Sequence, residues 1–199
     1  LEVARPEGKG PAQLVDVALS AAALPDSVRT QVEDVLAHPN REAVGVGVEH
    51  TRTGRMYLRR ACTLPVQWAL HPADLMTSYN QLDALVAGIR AYLVEQAGAM
   101  ELELSDHELA EELRVRENRH GPVTVLVPSA PDPQLVLRLR ARFPGVLFLF
   151  VAGAEGAQRP VDGVRWLDPT LAPDVERRVV MAREQVWTRH GLPREKEKR

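Results

Sequence analysis

Arginine dominates the side chains in this sequence that could do chemistry. Arg52, Arg55, Arg59 and Arg60 crowd around Tyr57, and the planar guanidinium fork suits bidentate contact with phosphate. Read as a strand over 55–64, the stretch RMYLRRACTL alternates so that Arg55, Tyr57 and Arg59 share one face. With Arg52 in the turn before it, that face would grip a nucleic-acid backbone through its guanidiniums and stack the phenol on a sugar or base. Arg138, Arg140 and Arg142 form a second basic stripe within QLVLRLRARF (134–143). The chain holds 22 Arg but only 3 Lys, yet its formal net charge is −2. Any phosphate-facing surface is therefore local, offset by the acidic residues around 101–117. Among the carboxylates, Ser105-Asp106-His107-Glu108 has the spacing of a capping box at a helix start.

Other chemistries lack their residues. The six histidines (His38, His50, His71, His107, His120, His190) include no i,i+4 pair and no HExxH, so zinc is not expected. Gly45 and Gly47 lack the third glycine and the following helix of a dinucleotide fingerprint, and no phosphate-binding loop sequence occurs, so no nucleotide cofactor is expected. The single cysteine, Cys62, excludes an internal disulfide framework and a cysteine metal cage. No Gly-x-Ser-x-Gly elbow is present.

These residues must be positioned by the elements around them. Residues 1–12 read as a flexible lead and 13–19 (QLVDVAL) as a strand carrying Asp16. A helix follows over 24–38, with Val28, Val32, Val35 and Leu36 at helical spacing. AVGVGVEH (43–50) and 55–64 read as two strands of a hairpin closed at Gly54. Gly45 and Gly47, between valines, mark a close approach of another part of the chain. Leu75, Tyr79, Leu82, Leu85, Val86, Ile89 and Leu93 predict a long helix over 72–96. Then come a strand (100–105), a helix (106–118), a buried strand (121–128), the amphipathic 134–143 segment, a buried strand (146–152), VRWL (164–167) and a helix over 173–190. Residues 13–190 thus read as one α/β domain with a mixed sheet, antiparallel first and parallel later, flanked by helices; 191–199 is a charged tail. With 199 residues, 45% of them hydrophobic, the chain can build a substantial core. The expected setting is cytoplasmic, since no apolar run is long enough to span a bilayer and no secretory leader is read at the start.

Residues 43–109, from AVGVGVEHTRTGRMYLRRACTLP to NQLDALVAGIRAYLVEQAGAMELELSDHEL, resemble the ribonuclease H family, particularly its reverse-transcriptase-associated and plant-type members. The family's Gly-rich strand, turn and strand precede a helix with an Ala-Leu-x-Ala-Gly-Leu-like stretch, here Ala84 to Ile89 (ALVAGI), and a strand ending in Ser/Thr-Asp, here Ser105-Asp106. The resemblance implies a ribonuclease H-like fold and hydrolysis of the RNA strand of an RNA–DNA hybrid by two Mg²⁺ or Mn²⁺ ions held between carboxylates. It assigns Asp16, Asp106 and Asp174 as metal ligands and Asp83 as a further catalytic carboxylate, with Asp162 and Asp168 as alternatives to Asp174. The helix carboxylate of the family aligns with Gln81, and its loop histidine with Ala154. A second reading therefore keeps the fold as a catalytically inactive module that binds nucleic acid or protein. The third is an unrelated α/β regulatory or interaction domain.

Overall fold

The computed structural model describes residues 18–38, 40–61, 69–72, 82–96, 104–153 and 160–189. After a helical stretch at 18–23, the elements in chain order are α1 (Ser27–Ala37), β1 (Ala43–Val46), α2 (Thr51–Ala61), β2 (Ala69–Pro72), α3 (Leu82–Gln96), α4 (Asp106–His120), β3 (Val123–Val127), α5 (Pro133–Arg142), β4 (Leu147–Val151), β5 (Val164–Trp166) and α6 (Pro173–Arg189). The class is α/β. Among the described residues, five strands form one parallel sheet in the order β2-β3-β4-β1-β5.

That sheet corrects the expected antiparallel start. Residues 51–61 do not return beside β1 as a hairpin strand; they form α2, which packs on the sheet. The residue types explain why. Arg, Met and Leu are good helix formers, and Thr53, Gly54, Tyr57 and Leu58, all buried, recur at the i, i+3, i+4 spacing of one helix face. Other boundaries move as well. Ala18 and Leu19 are helical rather than extended, and Pro72 belongs to β2 rather than opening a helix. Of the helix expected over 72–96, Leu82–Gln96 is described and helical, while residues 73–81 lie outside the described residues. Leu104 and Ser105 are non-strand residues leading into α4. Asp16, Cys62, Gln81, residues 100–103 and Ala154 lie outside the described residues.

Alternation along the strands separates two cores. Val44, Val46, Leu126, Leu147, Leu149 and Val151 point to one face, where α1, α2 and the start of α6 cover them through Val28, Val32, Val35, Tyr57, Leu58, Val175 and Val179. Ala43, Val123, Val125, Val127, Phe148 and Phe150 point to the other, under α3, α4 and α5 through Ile89, Leu93, Leu109, Leu135 and Leu139. Burial on both faces explains why β3 and β4 are continuous apolar runs with no polar member but Thr124. The close approach expected at Gly45 exists: a Cβ there would lie 2.7 Å from the Trp166 ring on β5.

From β1 the chain crosses to the far edge of the sheet, returns through β2, β3 and β4, and passes β1 to reach β5. The connection from β1 leaves by the α2 face, and Val161, in the connection from β4, packs on the opposite face. In open parallel sheets, ligands sit in the crevice beyond the carboxyl ends of the strands, here the end shared by the adjacent strands β1 and β4.

Candidate functional site

The crevice is built from three segments. The first is Gly47 to Thr51, joining β1 to α2. The backbone N–H groups of Glu49 and His50 donate to the two carboxylate oxygens of Glu176, at 3.0 and 2.9 Å. Glu176 lies in the first turn of α6 and is only 2% exposed. Its carboxylate thus fills the place at the head of α2 that suits an anion. The Gly54 N–H donates to the carbonyl of His50, making His50 the cap of α2.

The end of β4 supplies the second segment. The N–H groups of Ala152 and Gly153 donate to Val46 and Val48, carrying the β1–β4 ladder beyond the strands. Gly153 takes φ +70°, and a Cβ there would stand 3.3 Å from Glu49 Oε1. Backbone conformation and the neighbouring carboxylate both favour glycine at this point.

The third segment runs from Leu167 to Glu176, after β5. Gln31 on α1 brackets Asp168, its Nε2 donating to the Asp168 carbonyl (2.6 Å) and its Oε1 accepting the Asp168 N–H (3.0 Å). The Tyr57 hydroxyl donates to the Pro169 carbonyl (2.8 Å) and accepts the Leu171 N–H (2.9 Å). Burial pushes the Tyr57 phenol up to about 12, against a smaller lowering by the Leu171 N–H. The folded state therefore favours the neutral phenol, and its stabilisation is complete below pH 10 and lost as the pH rises toward 12. Tyr57→Phe is expected to flatten the loss of stability over pH 10–12 by about 2 kcal/mol, read from urea denaturation at several pH values.

The residues expected to carry phosphate chemistry are distributed otherwise. Tyr57 is fully buried and hydrogen-bonded, so its ring offers no stacking surface. Arg52, Arg55 and Arg59 lie at i, i+3 and i+7 on α2, so they share a helix face rather than a strand face and Tyr57 is not among them; Arg52 pairs with Glu184 at 3.6 Å. The stripe on α5 is spent on structure: Arg138 pairs with Asp83, Arg142 with Asp106, and Arg140 donates to the Arg41 carbonyl.

Among the described residues, the carboxylates named from the sequence do not converge. Asp106 begins α4 inside the expected capping box, directly after its cap Ser105; there the Glu108 N–H donates to Ser105 Oγ (3.2 Å) and the Ser105 N–H to Glu108 Oε2 (2.7 Å). Its own oxygens are held by Arg90 (2.7 Å) and Arg142 (3.0 Å), whose guanidiniums keep the carboxyl below the usual aspartate range. Arg142 closes the helix that leads into β4, which puts Asp106 near the amino edge of the sheet under the α3–α5 layer. Asp83 is on that layer too, in the first turn of α3. Asp174 opens α6 after β5, at the carboxyl edge of the opposite layer, paired with Arg178 at 3.2 Å. Asp168 borders the crevice, while Asp162 precedes β5 at the other end of the sheet. Among the described residues, no group of three or more His, Cys, Asp or Glu side chains is placed to hold a metal ion.

Asp106→Asn weakens two ion pairs on a side chain that is 46% exposed, so the expected loss at pH 7 is under about 1 kcal/mol. Because the folded carboxyl ionises below its unfolded range, the difference from the native chain should vanish as the pH falls below that range. Urea midpoints at pH 7 and at acid pH check both points.

Sequence reasoning missed Glu176, Gln31, Glu49 and Gly153. One signal was present for Glu176: it shares a helical stripe with Val180, Arg183 and Trp187 at i+4, i+7 and i+11, a stripe that faces inward. The expected absence of a membrane span concerns a different property: among the described residues, no helix is long and apolar enough to cross a membrane. No family model, no curated protein and no solved structure matches the chain.

Proposed function

We propose that this chain is an α/β regulatory or interaction domain that engages a protein partner at the carboxyl edge of its sheet, and that it does not hydrolyse nucleic acid. The observation that carries this reading is the convergence of three connections on the β1–β4 crevice, while, among the described residues, Asp83 and Asp106 lie on one layer and Asp174 on the opposite layer at the carboxyl edge of the sheet. Hydrolysis of a phosphodiester by paired cations needs those carboxylates around one small volume; here Asp83 and Asp106 each neutralise arginine instead.

Charge at the edge points to the class of partner. Glu49 and Asp168 are exposed there, beside Asp174, which pairs with Arg178, with the Glu176 carboxylate, bound by the Glu49 and His50 N–H groups, behind them. Such a rim repels a phosphate backbone and attracts a Lys/Arg-rich segment.

Titration of the ¹⁵N-labelled chain with an oligolysine peptide, and separately with an RNA–DNA hybrid in Mg²⁺, tests the reading. Saturable shifts of the Glu49, His50 and Thr170 amides are expected with the peptide, weakening as salt rises, and none with the hybrid. Hybrid-induced shifts centred on Arg52 to Arg60, with an unresponsive crevice, would favour the nucleic-acid reading and contradict this one.

A further inference from the structure

We propose that residues 168–176 form a strap across the carboxyl end of β1, and that its three fastenings open and close as one unit. The fastenings share a design. Each is a single side chain that makes two hydrogen bonds to main-chain groups: Gln31 to both polar groups of Asp168, Tyr57 to Pro169 and Leu171, and Glu176 to Glu49 and His50. Every one of these bonds joins residues at least 112 positions apart, so none is a local turn that persists once the segment lifts. Two of the anchoring side chains reach up from α1 and α2; the third, Glu176, reaches back from the strap's own end.

Beyond the fastenings, the segment is held by Leu171 and Val175 against the core and by the first turn of α6. Asp168, Pro169, Thr170, Ala172, Pro173 and Asp174 are exposed, and only Leu171 among the residues before Val175 is buried. Lifting the strap therefore breaks the fastenings, the Leu171 and Val175 contacts with the core and the first turn of α6, while leaving the sheet and the α3–α5 core intact.

Spacing makes the fastenings interdependent. Consecutive anchor points are separated by at most five residues along the strap. Freeing one anchor while its neighbours hold releases almost no chain entropy, whereas freeing all three releases the whole segment. The segment thus has two favourable states, fastened and lifted, the behaviour of a small cooperative unit that opens below the global unfolding free energy. Lifting uncovers the Glu49 and His50 amides and the Glu176 carboxylate at the crevice. That the strap controls access for a partner rests on the docking reading above; its cooperativity does not.

Four backbone amides report the state of the strap directly: Glu49, His50, Asp168 and Leu171. Residue-resolved hydrogen exchange on the full chain is expected to show them with protection factors within about threefold of one another, below those of Val125 and Phe148 in the central strands. Tyr57→Phe removes one fastening, and all four amides should then exchange about tenfold faster, with Val125 and Phe148 unchanged. Gln31→Ala, at a partly exposed position on α1, should accelerate the same four and serves if the Tyr57 variant folds poorly. Acceleration of Leu171 alone in Tyr57→Phe, with Glu49 and His50 at their native rates, would overturn the proposal. So would equal acceleration of Val125 and Phe148, which means that the strap opens only with the whole fold. Neither readout requires a partner, so failure of the oligolysine titration leaves this test intact.

Discussion

Glu176→Ala is expected to lower the unfolding free energy by about 3 kcal/mol, measured by urea denaturation at pH 7. The carboxylate is buried and accepts both the Glu49 and the His50 N–H. Truncation to alanine leaves two main-chain donors at the head of α2 facing a space with no acceptor, and each unmatched buried donor costs about 1–3 kcal/mol. Water entering the vacated volume recovers part of this, which keeps the estimate near the middle of the range. Glu176→Gln keeps one carbonyl oxygen as an acceptor and should lose roughly half as much. Glu184 provides the contrast: it lies on the same helix, is 61% exposed, and meets Arg52 only at 3.6 Å. Glu184→Ala should stay within about 0.5 kcal/mol of the native chain. Equal effects at the two positions would mean that α6 is held by surface charge rather than by its buried first turn.

Gly54→Leu is the second large effect, with an expected loss of about 3 kcal/mol. On α2, a Cβ at Gly54 would come within 2.5 Å of a Val151 methyl and 3.7 Å of Leu149 and Val46. The helix backbone therefore rests directly on the joint between β1 and β4, and a branched side chain forces the two layers apart. Helix propensity opposes the loss but is smaller, about 1 kcal/mol between glycine and a good helix former. Gly88 on α3 isolates that opposing effect, because nothing lies within 4 Å of a Cβ there. Gly88→Ala should stabilise the chain by about 0.5–1 kcal/mol. Opposite signs at the two glycines are the signature of α2 packed on a parallel sheet. If 51–61 were a hairpin strand, Gly54 would sit in a surface turn and leucine there would not overpack a core.

How far the sequence reveals this architecture depends on how many neighbours decide each element. VTVLV and LFLFV are apolar at nearly every position, and that alone marks strands buried on both faces. The capping box at Ser105 is a local device, complete within four residues, and it forms where its spacing indicates. RMYLRR is different. Arg55, Tyr57 and Arg59 satisfy a two-residue period, while Gly54, Tyr57 and Leu58 satisfy a helical one, and the stretch is too short for pattern to decide. Helix propensity and the fit of Gly54 against Val151 settle it, and the second of these is a tertiary contact across 97 positions. Reading that stretch as a strand also made the sheet appear mixed and placed Tyr57 on a surface.

The site was harder to read for the same reason. Asp106 is conspicuous in sequence because it follows a helix cap, yet its partners Arg90 and Arg142 come from two other helices. Glu176 looks like one carboxylate among the charges of an ordinary amphipathic helix. Its meaning comes from two amides 126 and 127 positions away. Strand order brings those amides to the crevice, and strand order is set by long-range packing that no short motif encodes.

The most direct test of the account is an RNA–DNA hybrid cleavage assay in Mg²⁺ and in Mn²⁺, comparing the native chain with Asp106→Asn. An interaction domain whose Asp106 is a structural partner of Arg90 and Arg142 gives no metal-dependent product with either chain. Metal-dependent cleavage by the native chain that disappears in Asp106→Asn would contradict it.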